Sequence, residues 1–156
     1  MPSIVLGLTF VATLAAVTVT DLERRVIPNR VLLVSALAGV PLAAATDLDS
    51  LAGRGIAATA AGGFLLLAAL IYPGGMGMGD VKLGAVMGIY LGRAVAAALL
   101  IAFVAGAVVG IGLLLRDGAA ARKRAIPFGP FLALGGVIAL WVGDAMVDSY
   151  LDAFSG

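Results

Sequence analysis

Residues 81–115 form one apolar run of 35 whose only charges are Lys82 and Arg93. As a continuous helix it would extend roughly 52 Å, against a bilayer core of about 30 Å. The run is too long for one crossing and short for two, and Gly92-Arg93 is where it is expected to break. Comparable runs cover 3–20, 30–46, 54–72 and 127–147, separated by charged or proline-containing stretches at 21–29, 47–53, 73–80 and 116–126. The pattern predicts an all-α membrane protein, a bundle of about six transmembrane helices with a short fourth helix over 81–92. That helix reaches only about 18 Å, which would leave Asp80 below the membrane surface. Composition agrees: 62% of residues are hydrophobic, 22 more are glycine and 12% are charged, too little polar surface for a soluble fold. Residues 1–156 are expected to be a single transmembrane domain without internal repeat or linker.

Charge placement predicts an orientation. No lysine or arginine precedes the first run, while Arg24 and Arg25 follow it, the reverse of a secretory signal, so a retained helix with its N-terminus outside is expected. Placing the loops after spans one, three and five in the cytoplasm gives them Arg24, Arg25, Arg30, Lys82, Arg116, Arg122, Lys123 and Arg124, eight of the ten basic residues. Arg54 and Arg93 fall outside with Asp47, Asp49, Asp144, Asp148 and Asp152. Asp21 and Asp80 then share the cytoplasmic side.

The chain has no cysteine and no histidine. Disulfides, Cys/His zinc sites, cysteine nucleophiles and imidazole bases are therefore excluded, and with them His-Glu-x-x-His metalloproteases and rhomboid-like serine proteases. A net charge of +1 gives no surplus for binding nucleic acid. What remains is carboxylate chemistry, and the nine acids sort unevenly. Asp47, Asp49 and Asp117 read as solvated loop charges. Asp144, Asp148 and Asp152 recur at helical spacing on one face near the chain end and read as a solvated stripe rather than a cation site.

Asp80 differs, because it follows Pro73-Gly74-Gly75-Met76-Gly77-Met78-Gly79 and opens an apolar helix. Irregular backbone beside a membrane survives only next to water or protein, and the glycines allow positive φ angles and close approach of another backbone. A plain helix-capping aspartate accounts for the local chemistry equally well. Asp21 precedes Leu22-Glu23-Arg24-Arg25-Val26-Ile27-Pro28-Asn29, where Pro28 stops a helix and Asn29 is placed to cap the next. Arg24 and Arg25 would neutralise it on a helix, so taken alone it is a juxtamembrane charge. Only Asp21, Glu23 and Asp117 lie on Asp80's side. Two neighbouring carboxylates sharing a proton can activate water and polarise a peptide carbonyl without metal or other cofactor. Gly84, Gly88 and Gly92 form a small-residue stripe suited to packing against the first span or a second copy, which leaves a homo-oligomer open. Tyr72, Tyr90 and Trp141 read as interfacial aromatics.

Three segments together resemble the type IV prepilin peptidase family of Gly-x-Gly-Asp membrane aspartic proteases: Asp21 with Ile27-Pro28-Asn29; Gly74 to Leu83 around Asp80; and Ile126-Pro127-Phe128-Gly129-Pro130-Phe131-Leu132-Ala133-Leu134-Gly135. The resemblance implies that Asp21 and Asp80 are a catalytic pair, with Gly77 and Gly79 supporting substrate bound as extended backbone. It implies removal of a basic leader from prepilin-like precursors at the cytoplasmic face of a prokaryotic cell membrane. The cut would fall before the precursor's hydrophobic helix. Larger members resemble a longer plan with an N-terminal portion that carries a cysteine zinc site and supports methylation. Here the likeness is to the short form, so neither a metal nor S-adenosylmethionine is expected. A small ion-coupled transporter using Asp80 in a glycine-broken helix is the alternative, though paired halves are missing. The basic loop Arg122-Lys123-Arg124 is expected to be a topological anchor facing anionic lipid.

Overall fold

The computed structural model describes residues 2–72, 75–118 and 127–155. The described chain is all helical: α1 (Pro2–Arg24), α2 (Asn29–Thr46), α3 (Ser50–Ile71), α4 (Met78–Leu91), a 3-10 turn (Gly92–Ala94), α5 (Val95–Asp117) and α6 (Gly129–Ser155). Among the described residues five helical stretches, not about six, are long and apolar enough to cross a membrane, and the protein is a multi-pass membrane protein. The expected count fails at one place. Met78–Asp117 is a single helical stretch of 40 residues, because the break at Gly92 is only one 3-10 turn. Gly92, with φ +58°, ends α4 where expected, and the 14-residue α4 alone is about 21 Å long, short of a hydrocarbon core.

Helices α3 and α4 pack together most extensively, followed by α5 and α6. The glycine stripe of α4 explains the first pairing and corrects its expected partner. A side chain at Gly84 would run into Leu65, one at Gly88 into the backbone of Ala57 and Ala58, and one at Gly92 would meet Arg54, all on α3. The stripe therefore brings α4 against α3 rather than against the first span. The core is completed by Phe10, Leu14 and Val17 of α1, Leu83 and Met87 of α4, and Leu132 of α6, all buried.

One polar cluster lies within this core. Thr13 and Ser35 hydroxyls are 2.9 Å apart, and the Tyr90 hydroxyl donates to the Ser35 carbonyl at 2.7 Å, joining α1, α2 and α4. Tyr90 also stacks on Phe10 with centroids 5.0 Å apart, so it is a core residue and not an interfacial one. Trp141 is exposed, as expected, but stands in mid-helix because α6 continues to Ser155.

The two ends of the bundle have different characters. At one end, the α1–α2 connection, the approach to α4 and the start of α6 converge. At the other, Arg54 donates to the carbonyls of Ile89 and Tyr90 at 3.0 and 2.6 Å, satisfying the C-terminal end of α4. There Arg93 pairs with Asp144 at 3.0 Å and Asp148 at 2.7 Å. The stripe expected on α6 is thus ion-paired as well as solvated. Pro73, Gly74, Ile126 and the basic triplet Arg122-Lys123-Arg124 lie outside the described residues.

Candidate active site

Helix α1 carries Asp21 in its last turn. The helix stops when Arg25 enters the left-handed region, φ 53°, with its N–H on the Asp21 carbonyl at 2.9 Å. Such a cap is unusual for a non-glycine residue and turns the chain sharply into Val26-Ile27-Pro28. Pro28, at φ −67°, then precedes α2, and its carbonyl accepts from Val31 and Leu32. Asn29 does not cap α2, contrary to expectation. Its side-chain oxygen instead accepts from Lys82 Nζ at 2.9 Å, linking the second helix to the fourth.

Asp80 is the third residue of α4. Its Oδ2 accepts from the Gly77 N–H at 3.1 Å, the carboxylate half of a capping box. The capping reading is therefore correct for one oxygen. Oδ1 is buried and has no hydrogen-bond partner among the described residues. A buried carboxyl oxygen without a partner costs free energy, and sites that retain one call for a chemical reason. The glycines act differently from expectation. Gly77 has φ −80°, and among the described residues only Gly92 and Gly118 have positive-φ glycine backbones. What matters is proximity: a Cβ on Gly79 would lie 2.8 Å from Ile27 Cβ, and one on Gly77 would lie 3.4 Å from Asp80 Oδ2.

Asp21 is buried to the same degree as Asp80, each about 6% exposed. Neither Arg24 nor Arg25 neutralises it; both are exposed, and the hydrogen bond to its carboxylate comes from Gly129 at the start of α6, whose N–H donates to Oδ2 at 3.0 Å. A Cβ on Gly129 would stand 2.5 Å from that oxygen. Gly129 is thus a site residue to which the sequence reading gave no role. The signal was present in its place within the third motif, but the partner lies 108 residues away.

The two aspartates line one cavity of about 310 Å³ with Arg25, Ile27, Asn29, Gly77, Gly79 and Lys82. Asp21, Asp80, Gly77 and Gly79 are therefore together, whereas Glu23 and Asp117 are not among the lining residues. Among the described residues no cluster of three or more potential metal-ligating side chains occurs. Each carboxylate is fixed by one amide through Oδ2, and neither is held in an ion pair with lysine or arginine among the described contacts.

A helical membrane bundle with two buried carboxylates in one terminal cavity, neither ion-paired among the described residues, defines the class: a polytopic membrane protein with a pair of buried acids at one end. The chain belongs to the type IV leader peptidase family, whose profile matches residues 8–111, a span that includes both aspartates. It is 38% identical over 147 residues to a Bacillus subtilis (strain 168) protein named prepilin leader peptidase/N-methyltransferase, covering 91% of this chain and 57% of the relative. A protein of the same name from Aeromonas hydrophila is 37% identical over 149 residues, covering 90% and 50% respectively. The chain thus spans about half the length of these relatives. No solved structure matches.

Proposed function

We propose that this chain is a peptidase core, residues 1–156, that cleaves leader peptides from prepilin-like precursors inserted in the membrane. The observation that carries the reading is the shared cavity of Asp21 and Asp80, each carboxylate oriented through one oxygen and without an ion pair among the described residues. In this scheme one aspartate, ionised, takes a proton from water as the water oxygen bonds to the scissile carbonyl carbon. The other, neutral, gives its proton to the carbonyl oxygen. Collapse of the tetrahedral intermediate breaks the C–N bond: the first aspartate gives its proton to the departing amine while a hydroxyl of the intermediate returns one to the second, so the pair again holds one proton. Gly77 and Gly79 keep the wall low enough for an extended backbone to approach.

Basic residues in the connections after α1 and α5 favour a cytoplasmic site in a prokaryotic inner membrane, with the N-terminus outside. Family membership supports prepilin-like substrates. The chain spans about half the length of relatives named as both peptidase and N-methyltransferase, and the activity we assign to the described site is the peptidase one.

The test is co-expression of the full chain with a prepilin-like precursor, followed on a gel by precursor size. Asp21→Asn and Asp80→Asn should each leave the precursor uncut, and the wild-type pH–rate profile should have an acidic limb that depends on both residues. Normal processing by either variant overturns the reading. Loss of an ion flux with processing intact would favour the transporter alternative.

A further inference from the structure

Neither carboxylate touches the other's anchoring group: Asp21 is fixed to α6 through Gly129, and Asp80 to its own loop through Gly77. Their relative placement must therefore come from contacts between the elements that carry them. Two such contacts bracket Asp80. Gly79, one residue before it, abuts Ile27, and Lys82, two residues after it, donates to Asn29 at 2.9 Å. Both reach the same three-residue stretch, Ile27-Pro28-Asn29, in which Pro28 has little freedom at φ −67°. That stretch leaves α1 only a few residues after Asp21.

We propose that Asn29 and Lys82 are positioning residues whose hydrogen bond fixes Asp80 relative to Asp21. The proposal rests on the peptidase reading above. The bond is well placed for this role. Asn29 and Lys82 line the aspartate cavity and also an apolar groove of about 510 Å³ between α2 and α4, where they are joined by Leu32, Leu33, Ala85 and Ile89. Among the described residues, the next polar tie between the two helices is Tyr90 to Ser35, two turns further along α4. Close to the aspartates, the Lys82–Asn29 bond and the Ile27–Gly79 contact are the ties that join the approach to α2 with the start of α4. Displacement of a reacting group by about 1 Å costs on the order of 100-fold in rate, so a modest splaying suffices to be seen.

The experiment uses the purified full chain in detergent with a tagged prepilin-like precursor. Lys82→Met and Asn29→Leu should each lower kcat about 10- to 100-fold with KM little changed. The double variant should be no slower than the slower single variant, because both remove the same bond. Lys82→Arg and Asn29→Asp, which keep a donor and an acceptor, should retain most of the activity, and they remain informative if either truncated variant fails to fold. Wild-type kcat in the single variants, losses that multiply in the double, or conservative variants as slow as the truncations would overturn the assignment. Asp21→Asn and Asp80→Asn are run alongside. If these still cut the precursor, the peptidase reading itself fails; if they are inactive while Lys82→Met is unimpaired, only the positioning role fails.

Discussion

Aspartates stand at both ends of this bundle, in opposite circumstances. Asp144 and Asp148 are 68% and 53% exposed at their side chains and share Arg93, itself 53% exposed. Asp21 and Asp80 are about 6% exposed, are bound by backbone amides and have no arginine or lysine partner among the described contacts. Each arrangement suits its surroundings. Exposed ions are solvated already, so pairing them gains little and costs little. A buried carboxylate normally acquires a cation or stays neutral, since desolvating an isolated charge is expensive. Two carboxyls buried beside one cavity, with no cation paired to either among the described residues, are groups that can exchange a proton. An ion-paired carboxylate has its charge committed elsewhere.

The sharpest way to break this contrast is to neutralise each pair in turn. Asp21→Asn and Asp80→Asn should reduce cleavage at least ~1,000-fold, because general acid–base groups contribute on that scale. Asp144→Asn and Asp148→Asn should cut at the wild-type rate. Quantified processing of a co-expressed precursor checks both arms, and a large loss from the α6 variants would dissolve the distinction. The next effect concerns how the buried pair is held. In Gly129→Ala the new methyl group would stand 2.5 Å from Asp21 Oδ2, so either the start of α6 or the carboxylate must move. Turnover should fall about 100-fold while the protein still inserts. Unchanged kcat would show that the Gly129 amide is dispensable.

Much of this end of the molecule was legible in the sequence, for specific reasons. Proline, glycine and charge interrupt apolar runs at the membrane edges, so the helix ends near Asp21 and at Gly92 could be placed from one-dimensional pattern alone. Charge counting put the connections holding Asp21 and Asp80 on one side, and they share a cavity. Other features depend on which helix lies beside which, and local pattern carries no such information. The Gly84-Gly88-Gly92 stripe announced close packing but not that α3 would receive it. Asn29 had the chemistry of a cap, yet its side chain serves Lys82, 53 residues away. Tyr90 resembled an interfacial aromatic until Ser35 and Phe10 surrounded it. The span count went astray because hydropathy registers a stretch's length, and a single 3-10 turn did not divide Met78–Asp117 into two separate spans.

Within the glycine approach to α4, the structure predicts unequal effects. Gly79→Ala places a methyl group 2.8 Å from Ile27 Cβ and should lower cleavage about 10-fold, because Asp80 shifts with its helix start. Gly77→Ala meets its nearest atom at 3.4 Å, an ordinary contact, and should have the milder effect. Gly55→Ala on α3, with nothing within 4 Å, should have none. A processing assay on the three variants checks the ranking, and Gly79→Ala with wild-type activity would remove its supporting role.

The smallest effect belongs to the opposite end. Arg93→Gln removes both ion pairs at once, yet both aspartates keep their hydration, and the turn that carries position 93 is held independently. Gly92 sets its backbone at φ +58°, and Arg54 binds the carbonyls of Ile89 and Tyr90 just before it. The detergent melting midpoint and the cleavage rate should therefore both stay within experimental scatter, at low and high salt alike. A marked, salt-sensitive drop in the midpoint would mean that the exposed acids brace the end of α4. The two ends of the bundle would then differ in chemistry but not in how much each contributes to holding the fold.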